Sequence, residues 1–150
     1  MADLDALAYA LSDLLARCSP AASRAALREI MRGLQQSNRE RIAANVDPDG
    51  KSFAPRRPQR IRDKKGRIRM RTKRGAMFRK LRNTTRVTIA DGVGTLDFRG
   101  SPRIPEAHHF GLVDRVRAGL SVTYTARPLL GISAADHEYV RDVLLKHLTE

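Results

Sequence analysis

Residues with chemical potential fall in a few places along the chain. His108 and His109 are adjacent, and Glu106 stands two residues before His108, a set that could offer a general base or metal ligands. Acid–base work needs a carboxylate or nucleophile within hydrogen-bond reach. On an extended backbone adjacent side chains also leave on opposite faces, so the two imidazoles would not hold one ion together. The pattern favours a structural role, with one imidazole hydrogen-bonded to backbone ahead of a turn at Gly111. Cys18 is the single cysteine, which excludes an internal disulfide and a cysteine-based zinc site, and Arg17 alone is thin support for a reactive thiol. Arg127-Pro128 sets a cation that could bind phosphate or a partner carboxylate beside a proline that ends a strand, with Gly131 turning the chain; the structural reading is preferred, with Arg127 in an ion pair within the protein or across a subunit boundary. Gly92-Val93-Gly94 lacks the helix and third glycine of a dinucleotide fingerprint. His137 and His147 read as surface or edge positions on the last helix. These patterns assign no catalytic residue, no metal site and no cofactor.

Charge is the stronger signal. The 150 residues carry 29 Lys+Arg against 16 Asp+Glu, a formal net charge of +13. Sixteen of those bases and a single acid, Asp63, lie between Lys51 and Arg86, so the rest of the chain is close to neutral. The candidate contact residues are Arg56, Arg57, Arg60, Arg62, Lys64, Lys65, Arg67, Arg69, Arg71, Lys73 and Arg74. Arginine predominates, which suits bidentate contact with phosphate or carboxylate. Phosphate binding of this kind would be salt-sensitive and blind to sequence. The alternation Arg67-Ile68-Arg69-Met70-Arg71 suits a strand added to a partner's sheet, and the lack of any aromatic between Ala54 and Met77 argues against a base-stacking platform. An acidic protein partner is the first expectation and DNA the second. A segment so charged should be mobile in the free protein.

The elements that must carry these residues follow from period and punctuation. The length suits one domain over 1–150, with hydrophobic residues at 41% and no Trp. No apolar run is long enough for a membrane span, and Met1 to Ala10 does not suit a secretory leader, so a soluble protein is expected. Leu4, Leu7, Ala8, Leu11 and Leu15 mark a first helix. Ser19-Pro20 caps a second, striped by Leu27, Ile30, Met31 and Leu34 and carried to Val46, where Asp47-Pro48-Asp49-Gly50 turns the chain. Residues 51–74 read as a loop or arm, and 75–82 as a short helix. Thr85 to Phe98 reads as a hairpin on an Asp91-Gly92 type I′ turn, whose register sets Val87 opposite Leu96 and Arg86 opposite Asp97. Leu112 to Val116 and Ser121 to Ala126 are two further strands, and Ser133 with Asp136 opens the last helix. Core candidates are Leu11, Ile30, Leu34, Val87, Ile89, Leu96, Val140 and Leu144. The fold class is α+β: a small, mostly antiparallel sheet of about four strands packed with N-terminal and C-terminal helices, with a long basic arm.

Four segments together resemble the phage virion morphogenesis family, the tail-completion proteins of contractile-tailed temperate phages. They are Asp47-Pro-Asp-Gly50 followed by Phe53 and Pro55; Ala76-Met-Phe-Arg-Lys-Leu81, with Phe78 in the family's Leu-Phe-x-x-Leu position; Glu106-Ala-His-His-Phe-Gly111; and Ala126-Arg-Pro-Leu-Leu-Gly-Ile-Ser133. The chain departs from the family pattern at Phe53, His109 and Leu129, where Trp, Gln and Phe are usual. The resemblance implies a late-assembling structural protein, not an enzyme, that forms a homo-oligomeric ring, a hexamer by expectation. It further implies a place in the virion at the head-proximal end of the tail, after assembly in the host cytoplasm. The partners it implies are tail tube or terminator and head-connector proteins; non-specific contact with phage DNA is the second expectation from the basic segment.

Overall fold

The computed structural model describes residues 19–73 and 75–149, so the expected first helix, Cys18 and Arg74 lie outside the described residues. Helix α1 spans Pro20–Ala44. Ser19 caps it by accepting a hydrogen bond from the Ala22 N–H (3.1 Å), and Pro20 occupies the first position, where a missing N–H costs nothing. The helix stops at Asn45, which takes the left-handed conformation (φ 57°) and returns its N–H to Arg41 and Ile42. That is two residues short of the expected Val46. The stripe predicted from Leu27 to Leu34 is present and continues through Asn38 and Ile42.

This one face serves two apolar clusters. Ile30, Met31 and Leu34 pack with Val143 and with Val87, Leu96, Tyr139, Val140 and Leu144. Ile42 packs with Phe53, Phe78 and Leu129, and with Met77, Leu81, Phe98 and Leu130. Burying each such side chain contributes about 1.5–3 kcal/mol, so the α1 face is the main source of stability and Leu34→Ala would remove about 2–5 kcal/mol. Between the clusters sits Asn38, 1% exposed, whose amide donates to Leu34 O (2.7 Å) and accepts from Gly131 N–H (3.0 Å). A buried amide is tolerated there because both ends are satisfied.

The strands form three separate two-stranded antiparallel sheets, not the single sheet of about four strands expected from sequence. β1 (Gln59–Arg62) pairs β2 (Ile68–Arg71), β3 (Thr85–Ala90) pairs β4 (Val93–Phe98), and β5 (Val113–Arg117) pairs β6 (Leu120–Thr123). Each strand finds its partner across a local turn, and alternation alone does not reveal whether hairpins then join. The β3–β4 register is as predicted, with Val87 opposite Leu96 and Arg86 in a bidentate pair with Asp97 (3.0 and 2.7 Å). Asp91 and Gly92 both have positive φ (50° and 75°), as a type I′ turn requires. Ile89 shares the parity of Val87 but is exposed, so it is not a core residue. The register sets Gly94 opposite Ile89, and a β-carbon on Gly94 would come 2.5 Å from Met31 Sδ; the helix rests on that glycine, inward of Ile89.

Helix α2 (Arg79–Thr84) begins four residues later than the expected 75. Helix α3 (Arg103–Phe110) is a correction, since the Glu106–Gly111 segment read as extended. Pro105 is its third residue, inside the first turn, where proline removes no helical hydrogen bond. Helix α4 (Ala134–Thr149) opens on the expected Ser133–Asp136 box, with Asp136 Oδ2 accepting from Ser133 N–H (2.8 Å) and Ser133 Oγ accepting from Asp136 N–H (3.2 Å). His147 on this helix is half-buried, an edge position as the sequence allowed, and meets Glu29 Oε2 at 2.8 Å.

Candidate functional site

The basic segment 51–74 is not the structureless loop its composition suggested. Its centre is the β1–β2 ribbon, closed by Asp63-Lys64-Lys65-Gly66. Asp63 Oδ1 accepts from Lys65 N–H and Arg67 N–H (both 2.9 Å), and Gly66 supplies a φ of +76°. The same chemistry builds the turn at Asp47, where Oδ1 accepts from Asp49 and Lys51 N–H (2.9 and 2.8 Å) and Gly50 has a φ of +82°. The shared Asp-x-x-Gly spacing was the readable signal for this hairpin, and it was masked by the surrounding charge.

Register places Arg60, Arg62, Ile68 and Met70 on one face of the ribbon and Gln59, Ile61, Arg69 and Arg71 on the other. Every strand residue is exposed. Lys64 and Lys65 occupy the tip and Arg67 the end of the turn. The one acid, Asp63, lies 3.8 Å from Arg69 Nε, an exposed contact that contributes little. The ribbon therefore presents guanidinium groups to both sides.

Its root is held differently. Arg56 donates to the carbonyls of Lys73 (3.2 Å) and Ala76 (2.8 Å), tying the two legs together, and Arg57 donates to Thr123 O (2.9 Å). Arg127 is buried and donates to Ala54 O (2.8 Å), Pro55 O (2.9 Å) and Thr125 O (3.2 Å). Of the two expected ion pairs for Arg127, the one within the chain is absent among the described residues; carbonyls hold the guanidinium there. Burial, and then the neighbouring Arg57 charge, lower its pKa from the ordinary arginine value.

The four motif segments quoted above meet around this root. Phe53 and Phe78 pack edge to face (5.8 Å, 79°), Phe78 meets the His108 ring at 4.9 Å, and His108 meets Tyr124 at 4.3 Å. His109 Nδ1 accepts from Leu129 N–H (3.1 Å). Gly111 ends α3 with φ 71°, and a β-carbon there would come 2.8 Å from Ala126 N. Arg127 N–H closes the same junction on His108 O (2.7 Å), and Pro128 follows it, exposed. A β-carbon on Gly131 would strike Pro48 Cγ at 2.5 Å, so the first turn and the last motif touch. Gly131 O also accepts from Arg41 Nη2 (2.7 Å), whose Nη1 pairs with Asp136 (2.7 Å).

These contacts position backbone: His109 Nδ1 holds Leu129 N–H, and the His108 ring is packed between Phe78 and Tyr124. Burial first, then the Arg127 charge, push His108 below the ordinary histidine value against an opposing effect of Asp114, and burial alone lowers His109. Among the described residues no three His, Cys, Asp or Glu side chains are grouped to hold a metal ion, and no helix is long and apolar enough to cross a membrane.

Comparison with known proteins agrees with the layout of the motifs. The model of the phage virion morphogenesis family matches residues 2–149. Tail completion protein S of Escherichia phage P2 is 34% identical over 143 residues, covering 92% of each chain. No solved structure matches the chain.

Proposed function

The chain belongs to the phage virion morphogenesis family, and on that premise we propose that it is a structural tail-completion protein, built as one domain over residues 1–150 with the basic hairpin inserted after α1. The observation that carries this reading is the likeness to tail completion protein S, which runs through 92% of both chains and so includes the hairpin and its root. It acts as a homo-oligomeric ring of six at the head-proximal end of the tail, assembles in the host cytoplasm, and supports completion of tails and their joining to heads. It works by binding, with no catalytic step. The β1–β2 ribbon docks on an acidic surface of a tail tube, terminator or head-connector protein.

The test is a phage lacking this gene, supplied with the protein from a plasmid. Electron micrographs should show tails and heads that accumulate unjoined without it and join when it is supplied. Mass measurement of the purified protein should give a ring. Normal joined particles without the protein would overturn the reading.

A second reading, sequence-independent DNA binding, is favoured by one observation: the ribbon carries arginines on both faces. It requires retention of duplex DNA that falls steeply with salt and a protein that stays monomeric.

A further inference from the structure

At the root of the hairpin, cations from two parts of the chain close on one small cavity. Arg56, Arg57 and Lys73 come from the two legs, Arg127 comes from the segment after β6, and together with Val122 and Tyr124 they line a space of about 180 Å³. No acid lines it. Among the described residues no carboxylate pairs with Arg57, Lys73 or Arg127; backbone carbonyls orient Arg57 and Arg127, as given above. A carbonyl fixes a guanidinium in direction without cancelling its charge. The bonds of Arg127 use one N–H on each terminal nitrogen, and guanidinium chemistry provides a second N–H on each. Around Arg57, Lys73 and Arg127 the cavity is thus an oriented positive site with no carboxylate partner among the described residues.

We propose that this cavity is a receptor for one carboxylate side chain, a glutamate or aspartate, of the protein on which the hairpin docks. The inference rests on the docking reading above and names the contact that makes it specific. Two features favour a protein carboxylate over a DNA phosphate. Arg127 is only 6% exposed, and a carboxylate on a short methylene stalk can reach so deep a group, whereas a phosphodiester is flanked by sugars on both sides. Val122 and Tyr124 offer the stalk an apolar and aromatic wall. Out of bulk water the charge pair is stronger than any on the solvated ribbon. The ribbon then supplies attraction, and the cavity supplies selection.

The experiment is an NMR titration of the full chain with a short capped peptide carrying one glutamate, observed at the Arg127 Nε–H and the Tyr124 ring. Saturable shifts at both are expected, and none with glutamine in place of the glutamate. Arg57→Gln alters an exposed side chain whose one hydrogen bond here is to Thr123 O, so folding survives, and it should weaken the peptide by about tenfold. Arg67→Ser with Arg69→Ser, far out on the ribbon, should change affinity by about twofold at most at physiological salt. Shifts confined to the ribbon, or an unchanged affinity in Arg57→Gln, would overturn the cavity as a receptor while leaving hairpin docking in place. Shifts at Arg127 with a short DNA duplex and none with the glutamate peptide would overturn both in favour of nucleic acid.

Discussion

Tyr139 lies across helix α1 directly over Gly33: a β-carbon on Gly33 would come 2.2 Å from the Tyr139 ring. The same tyrosine donates its hydroxyl hydrogen bond to Glu29 O (2.9 Å), so its ring cannot slide away without breaking a second contact. Gly33→Ala sets two effects against each other. Alanine in a helix interior gains about 1 kcal/mol over glycine, and a clash of this kind costs about 1–3 kcal/mol. The clash should prevail, because a ring, not a flexible chain end, is in the way. Urea unfolding should show a lower midpoint for Gly33→Ala, and Tyr139→Leu in the same chain should recover part of the loss. A stabilised Gly33→Ala would show that α1 and α4 are not in contact here.

His109 predicts a pH dependence. Burial lowers its pKa in the folded state below the unfolded value, and its Nδ1 is the acceptor for Leu129 N–H. A depressed folded pKa contributes stability that is complete above the unfolded value, about 6.5, and is lost as pH falls through the folded value. His109→Gln, which restores the residue usual in the family, keeps an acceptor and does not titrate. It should match wild type near neutral pH and hold its stability where wild type declines. His109→Ala leaves Leu129 N–H unpartnered and should lose about 1–3 kcal/mol near neutral pH, a deficit that shrinks as acid protonates the wild-type imidazole. Thermal melts across pH check all three.

Asn38→Leu should be more damaging than its size suggests. The leucine would join two apolar clusters but leave the half-buried Gly131 N–H without its acceptor, a loss of about 1–3 kcal/mol. Hydrogen exchange should speed up at the Gly131 amide specifically. Unchanged protection there would mean that another group takes over the bond.

Charge reversal on the ribbon should separate assembly from folding. Arg67→Glu with Arg69→Glu and Arg71→Glu alters exposed side chains only, and such changes shift stability by about 0.5 kcal/mol or less. Melting temperature should stay put while head–tail joining fails in the complementation assay. A large drop in melting temperature would show that the ribbon packs on the body of the protein; normal infectivity would show that it is not the docking element.

Local chemistry made parts of this fold legible. The β3–β4 register could be read because turn, alternation and the Arg86–Asp97 pair all specify it. Ser133 and Asp136 announced α4 in the same way. Helix α3 was illegible because it holds a proline and buries only Pro105 and Ala107; it stands on packing, aided by the contact of exposed Arg103 with buried Asp114 (3.3 Å), and not on helix propensity. The alternation from Arg67 to Arg71 marked β2 but read as a strand for a partner's sheet; β1 and the pairing were missed because neither face of the ribbon is buried, so no hydrophobic face announces the hairpin. Arg127 could be singled out from its motif, but its carbonyl partners, Ala54 and Pro55, are over seventy residues away in sequence. Only the folded chain brings them together.

Both outer edges of the β1–β2 ribbon lack a further strand among the described residues. Bare edges of this kind are templates on which identical chains polymerise. Here seven bases and one acid between Arg60 and Arg71 keep two ribbons apart at low ionic strength. Counter-charge brought to the ribbon lifts the repulsion. On the docking proposed above, a pool of newly made subunits would thus be kept from stitching itself together through these strands until an acidic surface is present.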